Sequence, residues 1–172
     1  NTPGNVIYVN SQSEAEKVSK AVFEQLPPVT EVDAEIKDLQ DLIKTAVHSK
    51  YLLADVLNRR VAFHYGNMPL VVRTEIERLF GEGKIYYLIC TSTLLEGVNL
   101  PCRTIFMRNP KKGTSNPLSE GDFWNLAGRA GRWGKEFAGN VVCIDTDDDK
   151  LWPNLPQVRK RSQITRAVSK GL

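Results

Sequence analysis

The chain has 172 residues, of which 41% are hydrophobic and 25% are charged. These values are typical of a folded globular protein and exclude a disordered or fibrous chain. The net charge is +3, from 23 Lys and Arg against 20 Asp and Glu, and so mild an excess does not by itself indicate binding to nucleic acid. No apolar run approaches the roughly 20 residues that a membrane-spanning helix needs, so we expect no membrane partner.

The cysteines indicate a reducing environment. Cys90, Cys102 and Cys143 form no C-x-x-C pair, and three thiols cannot close into a complete set of disulfides. We therefore expect free thiols and an intracellular location. The first residue is Asn1 rather than Met, which leads us to expect a portion of a longer polypeptide.

The N-terminal part of the chain alternates an apolar strand with amphipathic helices. Residues 6–9 form an apolar run that predicts a buried strand. Ser13 and Glu16 have the spacing of a capping box, and apolar residues then recur at helical spacing until two prolines end the helix. A longer helical pattern covers residues 31–58, and we interpret it as a solvated amphipathic insert.

The rest of the chain continues the alternation. A helix with Pro69 in its first turn ends near Gly81 and Gly83, because glycine favours the left-handed turn at a helix end. The other predicted elements are strands at residues 61–63, 85–90, 104–107 and 141–144 and a helix at residues 123–132.

These elements together predict the class of fold. Strands that are apolar on both faces and alternate with helices indicate an α/β domain, with a mostly parallel sheet of about five strands between two layers of helices. We expect this domain to cover residues 1–150. Residues 151–172 lack a strand pattern, and we interpret them as a connector toward a following domain.

The strongest functional pattern is Asn-Leu-Ala-Gly-Arg-Ala-Gly-Arg at residues 125–132. If this segment is helical, Arg129 and Arg132 lie on one face, because they are three residues apart. Gly128 and Gly131 keep that face free of side chains, so a phosphate can approach closely. Paired guanidinium groups suit a polyphosphate, since each binds two oxygens at once. The alternative is an amphipathic helix with solvated arginines.

A second pattern, Thr-Ser-Thr-Leu-Leu-Glu-Gly-Val-Asn-Leu-Pro, covers residues 91–101 and follows a predicted strand directly. Ligands of open α/β sheets bind at the carboxyl ends of the strands. Hydroxyl and backbone N–H groups at such a turn can hold a phosphodiester without reading its base. The alternative is a turn that its own Thr and Ser side chains cap.

These two patterns, in this order, resemble motifs V and VI of the second RecA-like domain of superfamily 2 helicases. They look most like the DExH-box branch that includes the superkiller RNA helicases and related DNA repair helicases. The resemblance runs from residue 6 to about residue 145, and Ser11 stands where motif IV of the family has a serine. It implies a RecA-like fold and the C-terminal motor domain of an ATP-dependent helicase or translocase.

The resemblance also implies roles for individual residues. Arg132 would be the arginine finger and Arg129 its partner on the triphosphate, while Asn125 replaces the glutamine usual in the family and Glu96 replaces a small or apolar residue. Phosphates of single-stranded RNA or DNA would contact Ser11, Thr91 and Ser92. The residues implied to bind ATP are Gly97, Asn99, Gly128, Arg129 and Arg132.

Two features of such a motor are missing from the sequence, namely a G-x-x-x-x-G-K-[ST] loop for phosphates and a D-E-x-H or D-E-x-D pair for Mg²⁺. The family has both in its N-terminal RecA-like domain, which would be a partner of this chain, hold most of the Mg²⁺ and complete the ATP site. We therefore predict that the chain alone is inactive. A non-catalytic helicase-like scaffold that binds nucleic acid or protein is the alternative. A dinucleotide-binding enzyme is disfavoured, since no G-x-G-x-x-G follows the first strand.

Several other residues have two possible interpretations. His64 is either a structural or a catalytic histidine, and Trp133 either packs on the protein or stacks on a base. The basic residues of the segment 103–115 form either a solvated loop or an edge that faces phosphates. Three successive carboxylates at residues 147–149 are interpreted as a solvated turn, and we predict no metal site in this chain.

Overall fold

The computed structural model describes residues 2–94, 100, 102–112, 115–131, 139–153 and 156. The strands are β1 (Asn5–Tyr8), β2 (Val61–His64), β3 (Tyr87–Cys90), β4 (Thr104–Met107), β5 (Lys111–Lys112), β6 (Asn116–Pro117) and β7 (Asn140–Cys143). The helices are α1 (Gln12–Gln25), α2 (Ala34–Ala46), α3 (Leu52–Val56), α4 (Leu70–Gly81) and α5 (Glu120–Ala127), with short 3-10 turns at Leu57–Arg59 and Ser92–Leu94.

Five strands form one sheet in the order β2-β3-β1-β4-β7, and every neighbouring pair is parallel. Strands β5 and β6 form a separate antiparallel pair. The chain steps from β1 outward to β2 and then back across the sheet. Because crossovers between parallel strands are right-handed, the two directions place α1 on one face and α4 and α5 on the other. The predicted parallel α/β sheet between two helical layers is therefore confirmed.

The core lies on both faces of this sheet. Strand β2 is buried along its whole length, and the side chains of Phe63, Leu88 and Ile89 are fully inaccessible to solvent. On the helices, α4 buries Val72, Ile76, Leu79 and Phe80 against the sheet. Burial of apolar surface on two sides of the strands fixes which residues face inward, and this is why the strand pattern was readable from the sequence.

Helix α1 begins two residues earlier than the capping-box prediction. The N-cap is Ser11, whose side-chain oxygen accepts the N–H of Glu14 at 3.2 Å. The carboxylate of Glu14 in turn accepts the N–H of Asn10 at 2.8 Å. The capping arrangement therefore exists, but it is made by Ser11 and Glu14 instead of Ser13 and Glu16. The helix ends at Gln25, before the two prolines as predicted.

Residues 31–58 do not form one continuous helix. Helix α2 ends at Ala46, and α3 begins only at Leu52, after a turn in which the N–H of Lys50 donates to Nδ1 of His48. Gln40 joins the two helices from a buried position, because its amide donates to the carbonyl of Ala54 at 2.6 Å and to Oδ1 of Asn58 at 3.0 Å. The break lets both helices turn apolar faces toward the same core.

A cluster of exposed ion pairs, the α2–α4 charge cluster, joins helix α2 to helix α4 and the turn after it. Arg78 contacts Glu35 at 2.7 Å, Glu75 at 2.5 Å and Glu82 at 2.8 Å. Lys84 contacts Glu35 at 2.7 Å. The hydrogen bonds from Lys84 and Arg78 lower the pKa of Glu35, and the hydrogen bond from Arg78 lowers the pKa of Glu75.

Helix α5 is shorter than predicted and ends at Ala127, so the prediction of a helix through Arg132 is wrong where the structure describes it. Gly128 caps the helix, Arg129 lies in a turn, and Ala130 forms a parallel bridge with Cys102. Two glycines in four residues weaken the helix, and the bridge satisfies backbone groups that a longer helix would have used. Arg129 therefore does not lie on a helix, and Arg132 lies outside the described residues.

Beyond β7, the chain folds back on the domain. Trp152 is only 6% exposed, packs edge-on against Phe123 and donates its indole N–H to the carbonyl of Ile144 at 2.8 Å. The start of the segment that we interpreted as a connector is thus part of the core. No helix within the described ranges is both long and apolar enough to cross a bilayer.

Candidate functional site

The residues predicted to contact nucleic acid lie at one edge of the sheet. Ser11 follows β1, and Thr91 and Ser92 follow β3, directly beside it in the sheet. The last residues of these strands, Tyr8 and Cys90, are opposite each other in register. The N–H of Val9 donates to the carbonyl of Cys90 at 2.9 Å, so the pairing continues to this edge. The fold therefore brings Ser11, Thr91 and Ser92 to the carboxyl ends of adjacent strands.

Ser11 already has a structural task at this edge. Its hydroxyl oxygen caps α1, as described above, and the residue is half-buried. A hydroxyl that accepts a backbone N–H still has its own proton to donate. The geometry is therefore compatible with a hydrogen bond from Ser11 to a phosphate oxygen while the helix remains capped.

Asn10 fixes the loop after β4 beside the same edge. Its side-chain amide donates to the carbonyl of Asn109 at 3.0 Å and accepts the N–H of Lys111 at 2.7 Å. Tyr8 adds a hydrogen bond from its hydroxyl to the carbonyl of Lys111 at 2.8 Å. This role of Asn10 was not predicted, because its two partners are about a hundred residues away in the sequence.

Two of the basic residues near this loop are paired with carboxylates. Arg108 contacts Asp145 at 2.5 Å, and Lys112 contacts Asp122 at 3.3 Å. All four side chains are partly solvent-exposed. Exposed pairs of this kind contribute little to stability and exchange readily for other charges, so both the solvated loop and the phosphate-facing edge remain compatible with the structure.

His64 is a buried histidine with two hydrogen-bond partners. Only 1% of the residue is exposed, Nε2 lies 2.8 Å from Oε1 of Glu77, and Nδ1 lies 3.1 Å from Oγ1 of Thr93. Burial lowers the pKa of His64, and the hydrogen bond to Glu77 acts in the opposite direction. The contact of His64 with Thr93 links β2 to the turn that carries Thr91 and Ser92.

The arginine-glycine segment lies at the opposite edge of the sheet. Cys102 precedes β4, so it is at the amino end of that strand. Its N–H donates to the carbonyl of Arg129 at 3.2 Å, and its carbonyl accepts the N–H of Gly131 at 2.8 Å. The segment that begins at Thr91 thus starts at the carboxyl edge and ends at the amino edge, where it pairs with the residues after α5.

Glycine is required at this junction. Gly131 has a φ of 84°, a conformation that favours glycine. A Cβ atom added to Gly139 would overlap the backbone of Gly131 and Ala130. The close approach of these two backbones explains why glycine occupies both positions, independently of any ligand.

The charge of Arg129 acts on two buried thiols. The residue is half-buried, and its guanidinium lowers the pKa of both Cys90 and Cys102. Burial has the larger effect on both thiols and raises the pKa of Cys102 to about 12. The thiols are therefore protonated and free, as the sequence predicts for the cysteines.

The remaining predicted site residues are only partly described. Asn125 is exposed on α5, and Gly128 is the C-cap of that helix. Gly97, Asn99 and Arg132 lie outside the described residues, as do Glu96 and Trp133. Within the ranges that the structure describes, no three His, Cys, Asp or Glu side chains are grouped so that they could hold a metal ion.

The parallel sheet, with polar turns at one edge and the paired arginine-glycine segment at the other, defines a RecA-like α/β domain. Residues 32–134 match the family described as the helicase conserved C-terminal domain. The chain belongs to this family, and the family predicted from the sequence is confirmed.

Individual relatives support the same assignment. Antiviral helicase SKI2 of Saccharomyces cerevisiae is 36% identical over 119 residues, 67% of this chain and 9% of that protein. ATP-dependent DNA helicase Hel308 of Pyrobaculum calidifontis is 32% identical over 148 residues, 81% of this chain and 21% of that protein. Exosome RNA helicase MTR4 of Homo sapiens is 33% identical over 103 residues, 58% of this chain and 10% of that protein. The chain thus matches between 9% and 21% of the length of these relatives.

Proposed function

We propose that this chain is the C-terminal motor domain of an ATP-dependent nucleic-acid helicase or translocase inside the cell. The domain would supply one wall of an ATP site and half of a groove for a single strand of RNA or DNA. An N-terminal RecA-like domain of the same protein would supply the other wall and hold most of the Mg²⁺. The names of the relatives include both DNA and RNA helicases, which supports the class of reaction and leaves both substrates in the proposal.

The observation that carries this proposal is the meeting of Ser11, Thr91 and Ser92 at the carboxyl ends of β1 and β3. Short hydroxyl side chains at this edge can donate to phosphate oxygens, and they carry no information about the base. We therefore propose that these three residues bind the backbone of the strand, so that binding depends on phosphate charge and little on sequence.

We propose that the opposite edge binds the triphosphate of ATP. Gly128 is exposed and has no side chain, and Arg129, the next residue, adds a positive charge, a combination that suits an anionic polyphosphate. We propose that Gly97, Asn99, Gly128, Arg129 and Arg132 line this wall of the site and that the exposed Asn125 reaches toward the γ-phosphate. Because ATP would lie between two domains, this chain alone would not hydrolyse it.

Arg132 is proposed as the arginine finger. A guanidinium that approaches the γ-phosphoryl group when the domains close would stabilise the charge that develops during its transfer. Groups of this kind contribute on the order of 10³–10⁵ to the rate. Repeated closing and opening would move Ser11 and Thr91 relative to the phosphate contacts of the N-terminal domain, and this relative motion would advance the strand.

The test is ATP hydrolysis by the full-length protein with and without single-stranded RNA or DNA. We expect turnover to rise with one of the strands, and Arg132→Ala to reduce the stimulated rate by at least about a hundredfold. Arg132→Lys keeps the charge but loses the two-pronged geometry, so it should recover only a small part of the rate. Lys44→Ala is the matched control, since Lys44 pairs only with Asp41 on the outer side of α2 in the described contacts.

Turnover that is indifferent to Arg132, in a variant that melts like the wild type, would contradict the arginine-finger role. Absence of turnover in the wild type would contradict the motor itself and favour the helicase-like scaffold. Hydrolysis by the purified 172-residue chain at the rate of the full-length protein would contradict the two-domain site.

A further inference from the structure

Glu77, His64 and Thr93 form a chain of hydrogen bonds that neither edge of the proposed site accounts for. We call it the His64 relay. It runs from α4, through the end of β2, to the turn after β3. The side chain of His64 is 2% exposed and that of Glu77 is 26% exposed. A buried imidazole between a carboxylate and a hydroxyl has a defined orientation, because both ring nitrogens are engaged.

The partners determine which nitrogen carries the proton. The carboxylate of Glu77 can only accept a hydrogen bond, so Nε2 of His64 is the protonated nitrogen. In a neutral imidazole Nδ1 is then an acceptor, and the hydroxyl of Thr93 must donate to it. This hydrogen bond therefore holds the side chain of Thr93 in one rotamer. Thr93 is one residue after Ser92 and two residues after Thr91.

Three other residues lie near the relay, on β3, on α4 and on the segment after β2. Cys90 is opposite His64 in the pairing of β2 with β3, and burial raises the pKa of its thiol, so it is neutral. Arg73 on α4 is the second charged neighbour, and its positive charge lowers the pKa of His64. A Cβ atom on Gly66 would meet Cγ2 of Thr93 at 3.6 Å, so the segment after β2 also packs against this threonine.

We propose that His64, oriented by Glu77, is a positioning residue for nucleic-acid binding: it holds Thr93 and thereby fixes the turn that presents Thr91 and Ser92 to the strand. This inference rests on the proposed function, since it assigns a support to the same phosphate-binding turn. His64 itself does not touch the strand. Thr93 is the middle residue of the 3-10 turn at Ser92–Leu94, so its hydrogen bond to His64 anchors this turn to β2.

Protonation of His64 would reverse the direction of the hydrogen bond at Thr93 without breaking it. When Nδ1 gains a proton it becomes a donor, and the hydroxyl of Thr93 accepts after its O–H turns about the Cβ–Oγ1 bond, with Oγ1 in place. Because burial lowers the pKa of His64, the imidazole is neutral at pH 7, and the arrangement in which Thr93 donates holds there.

The experiment measures binding of a fluorescent single-stranded oligonucleotide to the full-length protein by anisotropy. Thr93→Val keeps the shape and removes the hydroxyl, so we expect Kd to rise about threefold to tenfold. Thr93→Ser keeps the hydroxyl and should bind like the wild type. His64→Gln keeps an amide donor toward Glu77 but loses the aromatic acceptor, and its Kd should rise in the same range. His48→Gln is the matched control at the other histidine of the chain, which is exposed.

A purely structural histidine would not give the expected kinetic pattern. In strand-stimulated ATP hydrolysis, Thr93→Val should raise the strand concentration for half-maximal rate and leave the rate at saturation unchanged.

The outcomes separate this inference from the proposed function. If Thr91→Val weakens binding while Thr93→Val and His64→Gln bind like the wild type, the relay has no positioning role and the motor assignment stands. If Thr93→Ser is as weak as Thr93→Val, the relay is likewise excluded. If the wild type binds neither RNA nor DNA, the proposed function fails and the inference fails with it.

Discussion

Ser11 illustrates how one side chain can carry a structural and a functional task. Its oxygen accepts the N–H of Glu14 and caps α1, while its proton is available to a phosphate at the edge where we propose the strand binds. A loss of activity after substitution of Ser11 would therefore be ambiguous, because it would follow from either a frayed helix or a lost phosphate contact. Variants that separate the two tasks are needed.

Ser11→Ala and Ser11→Asp make that separation. Alanine cannot cap, so we expect the free energy of unfolding to fall by about 1 kcal/mol, whereas aspartate is as good an N-cap as serine and should preserve stability. Both remove the hydroxyl donor, and aspartate also places a negative charge beside the phosphates. Urea unfolding and strand binding should therefore rank the variants in opposite orders. Strand binding by Ser11→Asp at the affinity of the wild type would exclude Ser11 from the interface.

The residues of the His64 relay show the limit of prediction at this scale. The placement of Ser11, Thr91 and Ser92 after strands was predictable, because each lies one or two residues beyond an apolar run that indicates a strand. Glu77 and Thr93 lie 13 and 29 residues from His64 in the sequence. The packing of α4 on the sheet brings Glu77 to His64, and the parallel pairing of β2 with β3 brings Thr93 to it. A sequence pattern contains no information about such long-range contacts, so the sequence left both a structural and a catalytic role possible for His64.

At the scale of elements, the α2–α4 charge cluster makes stability depend on pH. The pKa of Glu35 is lowered by Lys84 and Arg78, and that of Glu75 is lowered by Arg78. A carboxyl group with a lower pKa in the folded state stabilises the fold above its unfolded value of 4.5, and this contribution is lost as the pH falls through the folded value. The cluster is exposed, so its contribution is small and screened by salt.

Arg78→Gln tests this dependence. We expect its Tm to lie below that of the wild type at pH 6, and the difference to shrink toward zero as the pH is lowered below 4.5, where the carboxylates become protonated in both proteins. High salt at pH 6 should shrink the difference as well. Lys44→Ala, which removes a single exposed pair on α2, provides the comparison. A difference in Tm that does not change with pH would mean that Arg78 acts through packing and not through its charge.

The helices show which element boundaries the sequence can predict. Helix α4 was predicted closely because its apolar face, and the glycines after it, are local signals. The turn after α4 has the geometry that these glycines predict, since Gly83 has a φ of 76° and the N–H of Lys84 donates to the carbonyl of Leu79. Helix α5 was predicted too long because its end depends on Cys102, a residue outside the segment that pairs with Ala130. Local propensity cannot anticipate a bond to a distant strand.

For the whole molecule, strand binding depends on the groups at the proposed interface more than on the net charge. The charge of +3 is weak, and hydroxyl and backbone contacts with phosphates release no counterions. Basic side chains beside this edge, such as Arg108 and Lys112, would neutralise phosphates, so we expect affinity of the full-length protein for a single strand to fall steeply between about 50 and 200 mM salt. Binding titrations at several salt concentrations measure the slope, with an oligonucleotide of equal length and scrambled sequence as the control. An affinity that is unchanged by salt but sensitive to the scrambled sequence would contradict phosphate-directed binding.

The bridge between Cys102 and Ala130 has a mechanical consequence for the domain. It joins the two ends of the loop formed by residues 103–129, so a displacement of the arginine-glycine segment also displaces the start of β4. Strand β4 is hydrogen-bonded to β1 over its four residues, a stiff span of roughly 13 Å at the usual rise per residue, and β1 leads directly into Ser11. We therefore expect a displacement of the arginine-glycine segment to move β4 and β1 together, so that the sheet transmits the motion to Ser11 as a rigid body.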